Sequence, residues 1–199
     1  MTERAAPPGV ILAGGAGRRI GGDKAFARLA GRPLVAHVID RLAPQCGVLA
    51  INGAPDPRLE RFGLTVVPDG AGGGQGPLSG ILAAMGWAAA RGATRVLTAP
   101  VDTPFLPADL APRLAAVDAP VALARTGDGL HGTCGLWQVT LRDDLRTALG
   151  RGVRKVTEFA EANGAAGVTF PDTVPPPFFN VNRPEDVARA AAWHAGPGP

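Results

Sequence analysis

The sequence contains no tyrosine, only two cysteines, and only two lysines among its 20 basic residues. The cysteines, Cys46 and Cys134, have neither the C-x-x-C spacing nor the neighbouring ligands of a zinc site. They could form one disulfide, but an isolated pair of this kind is more typical of reduced thiols in the cytoplasm. The cysteines therefore predict neither a zinc site nor a disulfide framework.

Long apolar runs and clustered charges are also missing. The longest apolar stretch, residues 81–90, contains Gly86 and is too short to cross a membrane, which takes about 20 residues. Residues 1–8 lack the apolar core of a signal peptide. The net charge of +3 is small, and no basic run is interleaved with aromatic residues as in a nucleic-acid-binding surface. We therefore expect a soluble cytoplasmic protein that binds neither membranes nor nucleic acids.

The length and composition fit one globular domain. The 199 residues can bury a sizeable core, and 46% of them are hydrophobic against 19% charged. The 28 glycines and 20 prolines predict short elements joined by tight turns. We expect a flexible N-terminus over residues 1–8, a domain over residues 9–194 and a tail over residues 195–199.

Apolar runs alternate with helical stripes along most of the chain. We predict strands at residues 10–12, 48–51, 64–67, 95–101, 121–124 and 134–139, with a short signal at 168–170. Helices are predicted over residues 34–42, 109–116, 141–149 and 153–161, and from Pro77 and Pro184 onward. The glycine-rich stretch 70–76 could be a domain linker, but the alternation continues beyond it, so a mobile loop fits better. This order predicts a single three-layer α/β/α domain of Rossmann-like type with a mostly parallel sheet.

The first strand leads into the loop that carries the clearest functional signal, residues 12–24, with the sequence L-A-G-G-A-G-R-R-I-G-G-D-K. Its small residues let a ligand approach the backbone, and free N–H groups together with Arg18, Arg19 and Lys24 can surround a polyphosphate. The competing interpretation is a glycine-rich surface turn with solvated charges. The combination of strand, glycines and three cations favours a nucleotide site.

Two familiar glycine motifs do not account for this loop. A dinucleotide fingerprint fails because Ile20 stands where that motif needs glycine. A P-loop fails because Asp23 precedes Lys24 and because Ala25 stands where Ser or Thr should bind magnesium. The loop therefore follows a third pattern.

Polar side chains also follow three later strands of the predicted sheet. Asn52, Asp69 and Asp102 each come directly after an apolar run. In open α/β sheets, ligands bind at the carboxyl ends of the strands, so these residues should meet the glycine loop at one rim. Each residue alone could be a turn former or a helix cap. Lys24, one of only two lysines, provides a compact positive charge for a phosphate there, unless it is simply a surface charge.

The blocks along the chain resemble a known family. In chain order they are the pattern L-A-G-G-x-x-x-R-x-G-x-D-K at 12–24, Asn52, Asp69, G-P-L-S-G at 76–80, D-T-P-F at 102–105 and F-N-V-N-R-P-E-D at 179–186. They are similar to nucleotidyltransferases that activate small molecules with a nucleoside triphosphate. The closing block resembles that of the molybdenum cofactor guanylyltransferases, the MobA family, within the MobA-like NTP transferases. The resemblance implies transfer of GMP from GTP to the terminal phosphate of molybdopterin, with release of pyrophosphate.

The resemblance also implies roles for individual residues. It implies that Asp102 holds a magnesium ion, an assignment that agrees with the preference of Mg²⁺ for carboxylate, phosphate and water oxygens. Arg18 and Lys24 would join Asp102 in stabilising charge on the transferred α-phosphate and the pyrophosphate. The implied GTP-binding residues are Leu12, Ala13, Gly14, Gly15, Lys24, Asn52, Asp69 and Asp102.

The acceptor side is implied by fewer matches. His131-Gly132-Thr133 stands where the family has His-Pro-Thr, so the missing proline should loosen this loop. His131 either contacts a phosphate or the pterin, or is an ordinary loop histidine. Lys155, Asn180 and Asn182 are the other candidate acceptor-binding residues, and Asn182 could instead cap the last helix.

The same blocks leave other functions open. A relative could use CTP, or act on another phosphorylated acceptor, because the first loop is common to these enzymes. The chain could also be a nucleotide-binding regulator without catalysis, although the presence of both Lys24 and Asp102 argues against this. By resemblance, partners would include other cofactor-biosynthesis proteins and molybdoenzyme chaperones.

Overall fold

The computed structural model describes residues 5–14, 24–70 and 76–194, and its largest feature is a seven-stranded sheet. The sheet contains β1 (Gly9–Leu12), β4 (Leu49–Asn52), β5 (Thr65–Val67), β6 (Arg95–Pro100), β7 (Val121–Thr126), β8 (Gly129–Gln138) and β9 (Ala165–Thr169). A separate hairpin pairs β2 (Arg28–Leu29) with β3 (Arg32–Pro33). The helices are α1 (Leu34–Leu42), α2 (Pro57–Glu60), α3 (Pro77–Ala89), α4 (Leu110–Ala115), α5 (Arg142–Gly150), α6 (Val156–Ala162) and α7 (Pro184–His194).

The sheet is parallel except at one strand. Its spatial order is β5-β4-β1-β6-β8-β7-β9, and only β8 runs antiparallel to its neighbours β6 and β7 within the described ranges. The register places Leu12 beside Asn52 on one side and beside Pro100 on the other. The carboxyl ends of β1, β4 and β6 therefore lie at one rim, as the sequence predicts.

Helices cover both faces of the sheet, which confirms the three-layer prediction. On one face, α1 and α4 pack their apolar stripes against alternate strand residues such as Ile11 and Leu97. On the other face, α3, α5 and α6 pack against residues such as Val10 and Trp137. Since successive strand side chains point to opposite faces, both faces of β1 are buried, and all four of its residues are apolar or glycine.

A third, smaller core joins the last helix to the early hairpin. It consists of Leu29, Leu34, Val181 and Ala190, all of them fully buried. Through this packing, α7 and the turn before it lie next to residues that follow the glycine loop. The segment that follows the glycine loop and the last helix therefore meet beside the carboxyl rim of the sheet.

The element boundaries differ from the sequence predictions in several places. Strand β8 begins at Gly129 rather than near residue 134, because it continues beyond the end of β6 as a pair with β7. The short signal at 168–170 corresponds to the edge strand β9, Ala165–Thr169, whose weak apolar pattern reflects its half-exposed position. The hairpin of β2 and β3 and the short α2 were not predicted. The predicted mobile loop falls largely on residues 71–75, outside the described residues.

Both cysteines lie within the described residues. Cys46 and Cys134 are both free thiols, and burial raises the pKa of Cys46 to about 12. Within the described ranges, no helix combines the length and the apolar composition needed to cross a bilayer.

Candidate functional site

A pocket of about 580 Å³ opens at the carboxyl rim of the sheet. It lies where β1, β4 and β6 end, and the start of α3 forms one of its walls. The lining residues are Leu12, Ala13, Gly14, Lys24, Asn52, Asp69, Gly76, Pro77, Gly80, Pro100, Val101, Asp102, Thr133 and Asn180. The structure thus brings together in one cavity the sequence-predicted residues at the strand ends.

Asn52 and Asp69 form a fixed pair of acceptors on one side of this pocket. The Asn52 amide nitrogen donates to the Val67 carbonyl at 3.0 Å and to Asp69 Oδ1 at 2.8 Å. Asn52 is only 1% exposed, so both bonds orient its side chain within the protein. Its Oδ1 and the Asp69 Oδ2 lie 3.4 and 3.6 Å from the position that a Cβ on Gly14 would take. Two oxygen acceptors therefore sit against the backbone of the glycine loop.

Lys24 and Asp102 form an ion pair on the other side. Lys24 Nζ donates both to Asp102 Oδ2 and to Asn182 Oδ1. Asp102 is 7% exposed and directly follows β6 through Val101, whose N–H donates to the Leu12 carbonyl at 3.0 Å. The lysine therefore connects the glycine loop, the end of β6 and the segment before α7.

The donor chemistry of the pocket fits a hard divalent cation held jointly with phosphates. Among the described lining residues, the carboxylates are Asp69 and Asp102, and Asp69 is already bonded to Asn52. No described group of three or more His, Cys, Asp or Glu side chains could hold a metal by itself. Magnesium commonly binds one or two carboxylates together with phosphate oxygens and water, so Asp102 suits that arrangement.

Two predicted site residues cannot be placed in this geometry. Gly15 and Arg18 lie outside the described residues, and their roles stay predictions. Lys24 lies at the end of the same loop and begins a short 3₁₀ turn, Lys24–Phe26, whose Ala25 is buried.

His131 is separate from the pocket lining. Its Nε2 lies 2.7 Å from Thr126 Oγ1, within hydrogen-bond distance. Its ring stacks on that of Phe178, with the two centroids 4.5 Å apart. The residue of the same block that lines the pocket is Thr133. The geometry favours a packing role for His131, and it places this residue in strand β8 rather than in a loop.

The other acceptor candidates divide into two groups. Asn180 lines the pocket, and Asn182 reaches it through Lys24. Asn182 does not cap the last helix with its side chain; the Asp186 carboxylate accepts from backbone N–H groups there. Lys155 is exposed at the start of α6 and does not line the pocket.

Gly80 belongs to the G-P-L-S-G block and lines the pocket, but the sequence interpretation gave it no individual role. A Cβ atom on Gly80 would overlap Asn52 Oδ1 and would lie 3.1 Å from Leu12 Cδ2. The sequence alone could have marked this position, because a glycine inside a helix lowers helix stability and usually indicates close packing against a neighbour. That reason is the space occupied by the Asn52 amide.

The half-buried ring of His131 predicts a pH dependence of stability. Burial lowers the pKa of His131, although the carboxylates of Asp128 and Asp172 act in the raising direction. The folded protein therefore holds this ring neutral below its ordinary pKa of about 6.5, and unfolding takes up a proton. The stability from this group is complete above that pH and is lost as the pH falls. We expect the free energy of unfolding to fall less steeply from pH 7 to 5.5 in His131→Gln than in the unmodified protein.

Urea unfolding at several pH values measures this difference. Gln138→Ala, which changes an uncharged side chain in the same strand, is the control and should keep the pH slope of the unmodified protein. An identical pH slope in His131→Gln and the unmodified protein would contradict a lowered pKa for this half-buried ring.

The chain is similar to a known protein family and to individual proteins within it. Residues 9–165 match the family described as the MobA-like NTP transferase domain. A molybdenum cofactor guanylyltransferase of Bradyrhizobium sp. (strain ORS 278) is 50% identical over 194 residues, covering 93% of this chain and 92% of that protein. Another, from Cereibacter sphaeroides, is 52% identical over 185 residues, covering 92% of this chain and 94% of that protein.

A solved structure supports the same fold. Molybdopterin-guanine dinucleotide biosynthesis protein A from Archaeoglobus fulgidus superposes with a TM-score of 0.75 at 24% identity, covering 94% of this chain and 98% of that one. The likeness at this level of identity concerns the fold.

Proposed function

This chain belongs to the MobA-like NTP transferases, and within them to the molybdenum cofactor guanylyltransferases, and on that premise we propose that it transfers GMP from GTP to the terminal phosphate of molybdopterin. Pyrophosphate is the second product. The supporting observation is that one pocket holds an oriented acceptor pair, Asn52 with Asp69, opposite the Lys24–Asp102 ion pair. One end suits a nucleoside and the other suits phosphates.

The acceptor pair accounts for a preference for guanine. Both Asn52 amide hydrogens are directed at Val67 and Asp69, so its Oδ1 remains an acceptor beside Asp69 Oδ2. Guanine offers neighbouring donors at N1–H and N2–H₂, whereas cytosine and adenine offer a single amino group on the corresponding edge. Two acceptors in a fixed arrangement therefore favour GTP over CTP and ATP.

The phosphate end accounts for the chemistry. An oxygen of the acceptor phosphate attacks the α-phosphorus, a new P–O bond forms, and the bond from that phosphorus to the pyrophosphate oxygen breaks. The acceptor phosphate is ionised at neutral pH, so alignment and charge neutralisation replace a strong general base. Lys24 neutralises phosphate charge, and Arg18 of the same loop is assigned a similar role. Magnesium on Asp102, when bound, supplies Lewis-acid stabilisation of the phosphate oxygens.

We propose that the enzyme acts in the cytoplasm and makes transient contacts with other cofactor-biosynthesis proteins and molybdoenzyme chaperones. On the acceptor side, Asn180 and Thr133 are the pocket-lining residues available to molybdopterin, with Asn182 adjacent.

Turnover with purified components tests the reaction directly. The protein is incubated with molybdopterin, magnesium and either GTP or CTP, and both pyrophosphate and the pterin dinucleotide are measured. We expect equal amounts of pyrophosphate and guanine dinucleotide with GTP. A cytosine product would favour the cytidylyltransferase alternative, and nucleotide binding without any pyrophosphate would favour a non-catalytic regulator.

A further inference from the structure

We propose that Asp186 is a positioning residue that holds Asn182 against Lys24 in the phosphate part of the pocket. The inference rests on the proposed function and concerns the same site. Asp186 does not line the pocket, so its influence passes through the backbone of the turn before α7.

Asp186 fixes this turn by accepting two hydrogen bonds at one carboxylate oxygen. Its Oδ2 accepts from the backbone N–H of Asn182 and from that of Arg183, each at 2.9 Å. Helix α7 begins at Pro184, so Asp186 occupies the third helical position and reaches back to residues that precede the helix. This is the acidic half of a capping box, extended by one further amide. The helix N-terminus itself favours a negative charge there.

The same turn is anchored to Asp102 from its other side. The Val181 N–H donates to the Asp102 carbonyl at 2.9 Å, and the Val181 side chain is fully buried against Leu29, Leu34 and Ala190. Asn182 follows immediately, and its Oδ1 accepts from Lys24 Nζ. The position of Asn182 is therefore set between the Val181 anchor and the Asp186 carboxylate.

The fixed position of Asn182 determines the position of the Lys24 ammonium group. Lys24 has a long flexible side chain, and its Nζ is shared between a charged acceptor, Asp102, and a neutral one, Asn182. Without the Asp186 carboxylate, two backbone donors lose their acceptor and the turn relaxes. Asn182 then no longer directs Lys24, and the ammonium loses its fixed place for a phosphate.

The scarcity of lysine makes this measurable without any substrate. With ¹³C-lysine labelling, the protein has only two lysine side chains, Lys24 and Lys155, and Lys155→Arg assigns their signals. In the nucleotide-free protein we expect a restrained Lys24, with inequivalent ε-CH₂ protons. Asp186→Ala should make them equivalent and move the Lys24 signal towards its place in Asn182→Ala. Lys155 should not change.

Two further variants separate positioning from a general effect on the helix. Glu185→Ala removes a carboxylate from the same first turn of α7 and should leave Lys24 unchanged. Asp186→Asn keeps a neutral acceptor and should move the Lys24 signal part of the way, since hydrogen bonds to a charged group are the stronger ones. If Asp186→Ala does not fold, Asp186→Asn is used in its place to test the proposal. An unmoved Lys24 signal in the Asp186 variants, or an equal change in Glu185→Ala, would overturn the proposal.

Turnover gives a second reading. In Asp186→Ala we expect kcat/KM for nucleotide transfer to fall by about 10- to 100-fold, as for the loss of other groups that orient a ligand-holding side chain. Because the lysine spectra are recorded without nucleotide, they test the positioning even if GTP proves not to be the substrate. A failure of the proposed function is therefore distinguishable from a failure of this inference.

Discussion

Replacing Asp102 by alanine should lower the rate of GMP transfer by at least about 10²-fold, the scale of losing one electrostatic stabiliser of a transition state. Asp102 is nearly buried at the rim, holds Lys24, and is the pocket carboxylate that Asn52 does not engage. Its loss removes the proposed magnesium ligand and frees Lys24 from its ion pair. Steady-state pyrophosphate release measures the change.

The control for this variant is Asp118→Ala. Asp118 is an exposed carboxylate that precedes β7, at the opposite end of the sheet from the pocket. It should leave the rate unchanged. Unchanged turnover in Asp102→Ala would contradict the assignment of magnesium to this carboxylate.

The second large effect is expected at a position without any side chain. Gly80→Ala should weaken GTP binding by about 10-fold or more, equivalent to about 1.4 kcal/mol, the scale of one disrupted buried hydrogen bond. The added methyl group overlaps Asn52 Oδ1, and Leu12 limits movement on the other side. The Asn52 amide must then turn away from Asp69, which dismantles the acceptor pair.

Gly86→Ala is the matched control, because it makes the same substitution in the same helix. A Cβ on Gly86 meets no atom within 4 Å, so the alanine should bind GTP normally. It should also stabilise α3 by roughly 0.5–1 kcal/mol, as alanine does over glycine in helix interiors. Calorimetric binding and thermal unfolding of both variants measure these effects. Equal GTP affinity in the two variants would contradict the role given to Asn52.

The rim of the sheet was predictable because it depends on chain order alone. Buried strands followed by Asn52, Asp69 and Asp102 must bring those residues to one edge when the strands are parallel. The family was identifiable for a similar reason, since its blocks combine several residue types at fixed spacing. The structure confirms the mostly parallel sheet and the three layers.

Side-chain contacts between distant segments were not predictable. Lys24 and Asn182 are 158 positions apart, and nothing local indicates that they touch. His131 matched a motif, but its hydrogen bond to Thr126 and its stacking on Phe178 depend on how β7 and β8 pair. Strand β9 was only partly visible because an edge strand with exposed positions has a weak apolar pattern.

The most direct test of the central claim is calorimetric titration of the purified protein with GTP, CTP, ATP and UTP in the presence of magnesium. Lys24→Ala removes the proposed phosphate contact, and Arg151→Ala, which removes an exposed basic side chain after α5, is the matched control. We predict clear selectivity for GTP that Lys24→Ala weakens and Arg151→Ala preserves. Binding of no triphosphate, even with molybdopterin present, or binding of all four with equal affinity, would contradict a guanine nucleotide site at this rim.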